Sequence, residues 1–164
     1  MCNKNSIDIA DMKNIPKDLS FIIGKEYTIN TLKITNKAIS KIDKTTKYLL
    51  ETSDNNYIES VSMIDKNRHT VCLSSQIGCN VDCDFCATGK MGIIRNLKTG
   101  EIIDQLIILQ NNSDMPITNI VFMGMGEPFL NYANVIKACK IFCDTKGFNF
   151  SYKRITISTS GILP

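Results

Sequence analysis

The sequence predicts an α/β protein whose second half is a parallel sheet flanked by helices. Residues 70–75 and 117–122 are short apolar runs typical of strands, and residues 99–109 between them carry apolar residues at helical spacing. The pattern then continues with a helix over 135–142 and a third strand over 154–158. Strand and helix in strict alternation predict parallel strands joined by right-handed crossovers.

The first part of the chain has a different pattern, which favours antiparallel strands. Residues 45–51 and 57–64 are strand-like, and the Ser-Asp-Asn-Asn run at 53–56 between them is a turn signal. This arrangement predicts a β-hairpin. We therefore expect a small β-rich accessory segment over residues 1–68, followed by the α/β core over residues 69–164.

Three distinctive loops follow the predicted strands of the core. They are the cysteine-bearing loop at 78–86, the Gly-Met-Gly-Glu-Pro loop at 124–128 and the Ser-Thr-Ser-Gly loop at 158–161. Because the carboxyl ends of parallel strands lie at one edge of a sheet, we expect these loops to meet at one rim. That rim is the predicted active site.

Composition excludes membrane-spanning and secreted proteins. The longest apolar run is far shorter than the ~20 residues that a membrane span needs. The N-terminus also lacks the apolar core of a signal peptide. We therefore expect a cytoplasmic protein with no membrane partner. The net charge of +3 permits an RNA partner without arguing for one, and we interpret the lysines of the N-terminal third as a solvated face.

The cysteines indicate metal or redox chemistry rather than disulfides. The chain has seven, and three of them, Cys79, Cys83 and Cys86, have the spacing C-x3-C-x2-C on one short loop. In a chain without secretion signals such clustering points to metal binding. Three thiolates can hold three irons of a [4Fe–4S] cluster, which leaves the fourth iron free to bind S-adenosylmethionine (SAM).

Zinc is the alternative interpretation of this loop. A zinc site needs four ligands, and His69 or Cys72 could supply the fourth. The protein would then be a zinc-binding RNA-binding module. Structural zinc sites usually pair their cysteines as two C-x2-C units, however, so the three-cysteine spacing favours the cluster.

Five motifs of the sequence belong together. They are, in chain order, Cys72-Leu-Ser-Ser-Gln-Ile-Gly-Cys79, Cys86-Ala-Thr-Gly-Lys90, Arg95-Asn-Leu97, Gly124-Met-Gly-Glu-Pro-Phe-Leu-Asn131 and Arg154-Ile-Thr-Ile-Ser-Thr-Ser-Gly161. With these motifs the sequence, from about residue 14 to residue 164, resembles the radical SAM dual-specificity 23S rRNA and tRNA adenine-C2 methyltransferases. The sister family of adenine-C8 antibiotic-resistance methyltransferases is similar, but Pro128 and Ser160 match the C2 enzymes better.

The resemblance implies a fold and a set of cofactor-binding residues. The fold would be the first half of a radical SAM partial (β/α)6 barrel, preceded by the β-rich N-terminal segment. The cofactors would be a [4Fe–4S] cluster and SAM. The implied cluster ligands are Cys79, Cys83 and Cys86, and the implied SAM-binding residues are Gly126, Glu127 and Ser158.

The resemblance also implies catalytic residues and partners. Glu59 matches the general base that takes a proton from the adenine carbon. Cys72 matches the cysteine that resolves a covalent enzyme–RNA adduct through a transient disulfide. The implied partners are 23S rRNA, tRNA as a second RNA substrate, and a reductant such as flavodoxin. A different radical SAM enzyme built on the same loops is the remaining alternative.

The chain holds only part of what the resemblance implies. It has three of the strands of such a barrel, and no cysteine follows Cys143 to carry the methyl group in transfer. We therefore expect a fragment that cannot complete RNA methylation by itself. The alternative is that a second polypeptide completes the barrel. We also expect the strand at 154–158 to be an exposed apolar edge.

Overall fold

The computed structural model describes residues 15–27 and 31–163. Six of the strands in this part of the chain form one sheet, and the other two form a separate pair. The α-helices and strands of the described residues, in chain order, are α1 (Lys17–Glu26), β1 (Lys33–Ile39), β2 (Thr46–Glu51), β3 (Tyr57–Asp65), β4 (Arg68–Cys72), β5 (Gln76–Cys79), β6 (Gly92–Asn96), α2 (Thr99–Asn111), β7 (Asn119–Phe122), α3 (Tyr132–Cys143) and β8 (Ile155–Ile157).

The large sheet has the strand order β1-β2-β3-β4-β7-β8. Strands β1 to β4 pair antiparallel, and the predicted hairpin is β2 with β3. Strands β4, β7 and β8 pair parallel, with α2 and α3 in the connections between them. The predicted alternation of strands and helices is therefore present. The proposed division after residue 68 falls within this continuous sheet, and residues 1–14 of the accessory segment lie outside the described residues.

The two faces of the sheet differ in what covers them. Cross-strand partners share a face, so Ile58, Val71 and Ile120 lie on one side, where all three are fully buried. They belong to one apolar core with Leu106 of α2 and Phe142 of α3. The opposite side, here called the open face, is less covered and carries the alternate residues of each strand. Its members include Lys47, Glu59, Val61, Cys72, Val121 and Thr156.

Strand β8 is one edge of the sheet, as predicted, with β7 on its other side. A groove of about 230 Å³ lies between this edge and α3. Its lining is mostly apolar and includes Cys139, Ile155 and Ile157. Within the described ranges, no helix is long and apolar enough to cross a membrane.

Cys139 is expected to make the free energy of unfolding depend on pH in the alkaline range. Burial, with a smaller contribution from Cys143 one turn along α3, raises the pKa of the Cys139 thiol to about 11. The unfolded chain loses this proton near its ordinary pKa of 9.0, before the folded protein does. The free energy of unfolding should therefore fall as the pH rises from about 9 through about 11.

We expect Cys139→Ala to reduce this alkaline slope, at a cost of about 1 kcal/mol near neutral pH. Urea unfolding between pH 7 and pH 11 measures both quantities. An unchanged alkaline slope in the variant would show that other groups cause it.

Candidate functional site

At one rim of the sheet, as the topology predicted, the segment that leads from β4 into the cysteine loop meets the loops that follow β7 and β8. The Met125 carbonyl accepts a hydrogen bond from the Gln76 N–H at 3.2 Å, and the Met125 N–H donates to Ser74 Oγ at 2.9 Å. The loop after β8 joins them, because the Ser160 N–H donates to a Glu127 carboxylate oxygen at 2.8 Å. Direct hydrogen bonds therefore fix the loops relative to one another.

Gly126 allows the Gly-Met-Gly-Glu loop to approach β5 closely. Its φ is +95°, and a Cβ placed there would lie 2.5 Å from the Gln76 Cβ and 2.7 Å from the Gln76 backbone nitrogen. Gly124 is similarly confined, since its Cβ would lie 2.9 Å from the Leu73 carbonyl oxygen. Close backbone packing alone requires both glycines, independently of any ligand.

Glu127 is a buried carboxylate that joins two loops, with 4% of its surface exposed. One oxygen accepts the Phe129 N–H at 2.9 Å, and the other accepts the Ser160 N–H and hydroxyl at 2.8 and 2.9 Å. Burial acts to raise the pKa of this carboxyl, but the hydrogen bonds from Ser160, Phe129 and Thr159 outweigh it, and the pKa lies below its usual value. The rim therefore holds a fixed negative charge at neutral pH.

The lowered pKa of Glu127 gives an acid dependence with a definite sign. Because the unfolded chain binds this proton at a higher pH than the folded protein, the stabilisation is present above pH 4.5 and is lost as the pH falls through the folded pKa. We expect Glu127→Gln to reduce this acid slope and to cost about 2 kcal/mol near neutral pH.

Urea unfolding between pH 3 and pH 7 tests this expectation. Ser160→Ala is the control, because it removes the hydroxyl donor but keeps the Ser160 N–H and the carboxylate. The acid slope should survive in the control. Equal slopes in the wild type and Glu127→Gln would contradict the assignment.

The cysteine loop is held between two short strands that the sequence analysis did not predict. Strands β5 and β6 pair antiparallel, and Cys79, the last residue of β5, lies opposite Gly92. Gly78 before it has a φ of +76° at a register shift. The antiparallel pair and the residues between its strands are called the cysteine hairpin below. The signal for β5 and β6 was weak, because each has at most five residues and residues 80–91 separate them.

The donor chemistry of the cysteine hairpin fits an iron–sulfur cluster. Cys79 is buried, Cys83 and Cys86 are half-buried, and all three thiols are free. Hydrogen bonding from the Gly89 N–H lowers the pKa of the Cys86 thiol, with Thr88 adding to the effect against burial. A lowered pKa favours the thiolate form that metals bind. Across residues 15–27 and 31–163, no three His, Cys, Asp or Glu side chains are gathered closely enough to hold a metal ion, so the structure does not bring Cys79, Cys83 and Cys86 together as a metal site.

The structure excludes His69 as a fourth ligand of a zinc site at this loop. His69 is fully buried, with Nε2 2.8 Å from Ser62 Oγ and Nδ1 2.9 Å from the Met115 carbonyl oxygen. Both ring nitrogens are thus engaged, on the face of the sheet covered by the helices. Cys72 points to the opposite face. Of the two candidate fourth ligands, the structure therefore removes His69 and leaves Cys72.

Glu59 and Cys72 share the open face on adjacent strands. The cross-strand partner of Cys72 is Val61, two residues along β3 from Glu59. Glu59 is half-exposed and its carboxylate lies 2.8 Å from Lys47 Nζ, whereas Cys72 is 8% exposed. Burial raises the pKa of the Cys72 thiol. Ser158 follows β8 directly, is exposed, and donates its N–H to the Phe122 carbonyl at 3.3 Å.

Two buried amides at the rim were missed by the sequence analysis. Gln105 of α2 is fully buried, accepts hydrogen bonds from Ser60 Oγ and the Ser74 N–H, and donates to the Ser74 carbonyl. Gln76 at the start of β5 is 2% exposed and bonds both the cysteine hairpin and the Glu127 loop. The sequence signal for Gln105 was a polar residue within an apolar run, whereas Gln76 lies in the Cys72–Cys79 motif, where no role was assigned to it.

Comparison with known proteins defines the class. Residues 73–164, more than half of the chain, match the model of the Radical SAM superfamily, and the chain belongs to that superfamily. It is similar to the probable dual-specificity RNA methyltransferase RlmN of Pseudothermotoga lettingae, with 49% identity over 159 residues that make up 97% of this chain and 46% of the relative. The corresponding protein of Thermotoga maritima is 46% identical over 160 residues, 98% of this chain and 47% of that protein.

A solved structure gives the same result for the fold. A radical SAM methyltransferase from Sphaerobacter thermophilus superposes with a TM-score of 0.89 at 39% identity, over 96% of this chain and 47% of that one. These findings confirm the predicted α/β fold class and the family resemblance. The chain spans about half the length of the relatives it matches.

Proposed function

We propose that this chain supplies the cluster-binding half, and part of the SAM site, of an RNA methyltransferase that acts on adenine C2 in 23S rRNA. A tRNA adenine is a second candidate substrate. One observation carries the proposal. In a chain that matches the Radical SAM superfamily, the cysteine hairpin and the Gly-Met-Gly-Glu loop meet at one rim of a parallel sheet. The relatives named as dual-specificity RNA methyltransferases support the substrate class.

Each proposed cofactor is bound by specific residues of the chain. Cys79, Cys83 and Cys86 hold a [4Fe–4S] cluster, which when bound supplies the electron that cleaves SAM. Gly126 and Glu127 bind the methionine end of SAM, and Glu127 offers the fixed negative charge that an ammonium group requires. Ser158 is a further SAM contact.

The open face carries the proposed residues for the RNA chemistry. Glu59 takes the proton from the adenine carbon, and Lys47 at 2.8 Å orients its carboxylate. Cys72 resolves the covalent adduct. Burial raises the pKa of its thiol, which further favours the protonated form of Cys72 at neutral pH. The proposed setting is the cytoplasm, with a reductant such as flavodoxin as electron donor.

Anaerobic reconstitution with iron and sulfide tests the cluster. We expect about four irons per chain and an electron paramagnetic resonance (EPR) signal after reduction. Cys86→Ala should lose both, whereas Cys143→Ala should keep them. Cys143 is a matched control because it is also a free, half-buried thiol but lies on α3. Stoichiometric zinc without iron, or normal loading of Cys86→Ala, would contradict the proposal.

A chimera tests the substrate. This chain would replace the matching part of the Pseudothermotoga lettingae relative, which supplies the remainder. With SAM, a reductant and 23S rRNA, we expect 2-methyladenine by mass spectrometry of nucleosides. Glu59→Gln should lower the rate at least a hundredfold if Glu59 is the general base. A product methylated at C8 would overturn the proposed C2 specificity.

A further inference from the structure

Gln76 occupies a junction between two parts of the proposed site. It is the first residue of β5, it lies opposite Asn96 of β6, and it is 2% exposed. Its amide nitrogen donates to Asn96 Oδ1 at 2.7 Å, and its amide oxygen accepts the Glu127 N–H at 2.8 Å. One side chain therefore forms hydrogen bonds both to a side chain of the cysteine hairpin and to a backbone N–H of the Gly-Met-Gly-Glu loop.

The rest of Gln76 is held equally firmly against that loop. Its backbone N–H donates to the Met125 carbonyl at 3.2 Å. Its Cβ and Cγ lie against Gly126 so closely that a Cβ on Gly126 would be 2.5 and 2.7 Å away. A single residue thus contacts three consecutive residues of the loop, Met125, Gly126 and Glu127. These contacts together fix the orientation of the Gln76 side-chain amide.

The same strand leads directly to the first cysteine of the loop. Cys79 is three residues from Gln76, and all four residues of β5 are buried. Asn96, the register partner of Gln76, donates to the Leu130 carbonyl at 3.2 Å, just beyond Glu127. A displacement of the Gly-Met-Gly-Glu loop is therefore transmitted through Gln76 to the strand that ends at Cys79.

We infer that Gln76 is a positioning residue that couples the cysteine hairpin to the SAM-binding loop and so sets the distance between cluster and SAM. The inference rests on the proposed function. The amide is required because its oxygen accepts from a backbone N–H while its nitrogen donates to Asn96. A carboxylate can make only the first contact, and a thioether makes neither.

Hydrogen exchange on the cofactor-free chain is the first test. We expect Gln76→Met to speed exchange of the Glu127 N–H about tenfold, the loss of roughly one hydrogen bond. Gln76→Glu, which keeps an acceptor, should retain most of the protection. Gln110→Met is the matched control, since Gln110 Oε1 accepts the Ile117 N–H at the same 2.8 Å, far from the rim. Unchanged exchange at Glu127 in Gln76→Met would overturn the inference.

Cofactor loading supplies the second test. In the chimera reconstituted with iron and sulfide, we expect Gln76→Met to retain its iron but bind SAM at least tenfold more weakly. The change in the EPR signal on adding SAM should shrink accordingly, and Gln76→Glu should recover part of it. A purely structural role would lower iron content and thermal stability together without this selective loss.

The outcomes separate the two claims. Absence of iron in the wild-type protein would overturn the proposed function, while hydrogen exchange would still decide whether Gln76 couples the loops. Normal SAM binding in Gln76→Met at normal iron content would overturn the inference and leave the proposed function standing. If Gln76→Met fails to fold, Gln76→Glu and Asn96→Ala test the other half of the junction, since each removes the contact from Gln76 to Asn96. Normal SAM binding in both variants would then overturn the inference.

Discussion

The variant Gly78→Ala is expected to lose the cysteine hairpin, with a cost of more than about 3 kcal/mol and no iron uptake. An added Cβ would lie 1.9 Å from the Gly92 carbonyl oxygen and 3.0 Å from its carbonyl carbon. Both are backbone atoms of the strand that pairs with β5, so relief requires the strands to separate. Cys79 immediately follows, and its register with Gly92 would be lost. Urea unfolding and iron content after reconstitution measure the two effects.

Gly92→Ala is the matched control for this experiment. Gly92 also has a left-handed φ, +69°, but a Cβ there would meet nothing within 4 Å. Its ψ of 177° places it in a region that essentially only glycine adopts, so the variant should cost about 1–3 kcal/mol of conformational strain but retain iron. Equal losses in both variants would indicate that backbone conformation, rather than steric overlap, controls the hairpin. Wild-type stability in Gly78→Ala would contradict the packing described.

The second large effect is expected at Arg95, whose five N–H groups are all used. They bond Asp54 in the β2–β3 turn at 2.7 and 2.9 Å, Glu101 at 2.8 and 2.7 Å, and the Asn96 carbonyl at 3.1 Å. Glu101 is 4% exposed, in the first turn of α2, where it also accepts the Lys98 N–H. Arg95 therefore joins the accessory hairpin, formed by β2 and β3, to the cysteine hairpin and α2.

Arg95→Met should cost about 3 kcal/mol, because a buried carboxylate loses its counter-charge. The guanidinium, through hydrogen bonds first and charge second, also holds the pKa of the Asp54 carboxyl well below its usual range. Part of the acid dependence of stability should therefore disappear in the variant. Arg68→Met is the control, because Arg68 is exposed and bonds Thr70 Oγ1, and it should cost under about 0.5 kcal/mol. Similar losses in the two variants would refute the special role of Arg95.

The part of the fold that could be predicted is the part with strong periodicity. Helices α2 and α3 and strands β7 and β8 were predicted because apolar residues recur at helical spacing between short apolar runs. The cysteine hairpin was not predicted. Its pairing joins residues on either side of a loop without periodicity, and the left-handed Gly78 at its register shift is visible only in the folded chain.

The candidate site, too, could be predicted only in part from the sequence. Cysteine spacing identified one loop, and topology placed three loops at one rim. The contacts of Gln76 and Arg95 could not be read from the sequence, because their partners are distant in the chain. Glu127 lies 51 residues from Gln76, and Asp54 lies 41 residues from Arg95. Likewise, a shared face for Glu59 and Cys72 depends on the β3–β4 register, which local patterns do not specify.

The pairing of β4 on both sides bears on how such proteins can be recombined. This strand runs antiparallel to β3 and parallel to β7, so it belongs to the accessory hairpin and to the core at once. An exchange of segments between homologues with its junction at residues 66–67 would leave β4 facing a foreign neighbour. The turn is short, but five residue pairs join β3 to β4 across it. Shuffling at this point would therefore select for partners whose β3 residues match Val71 and Cys72.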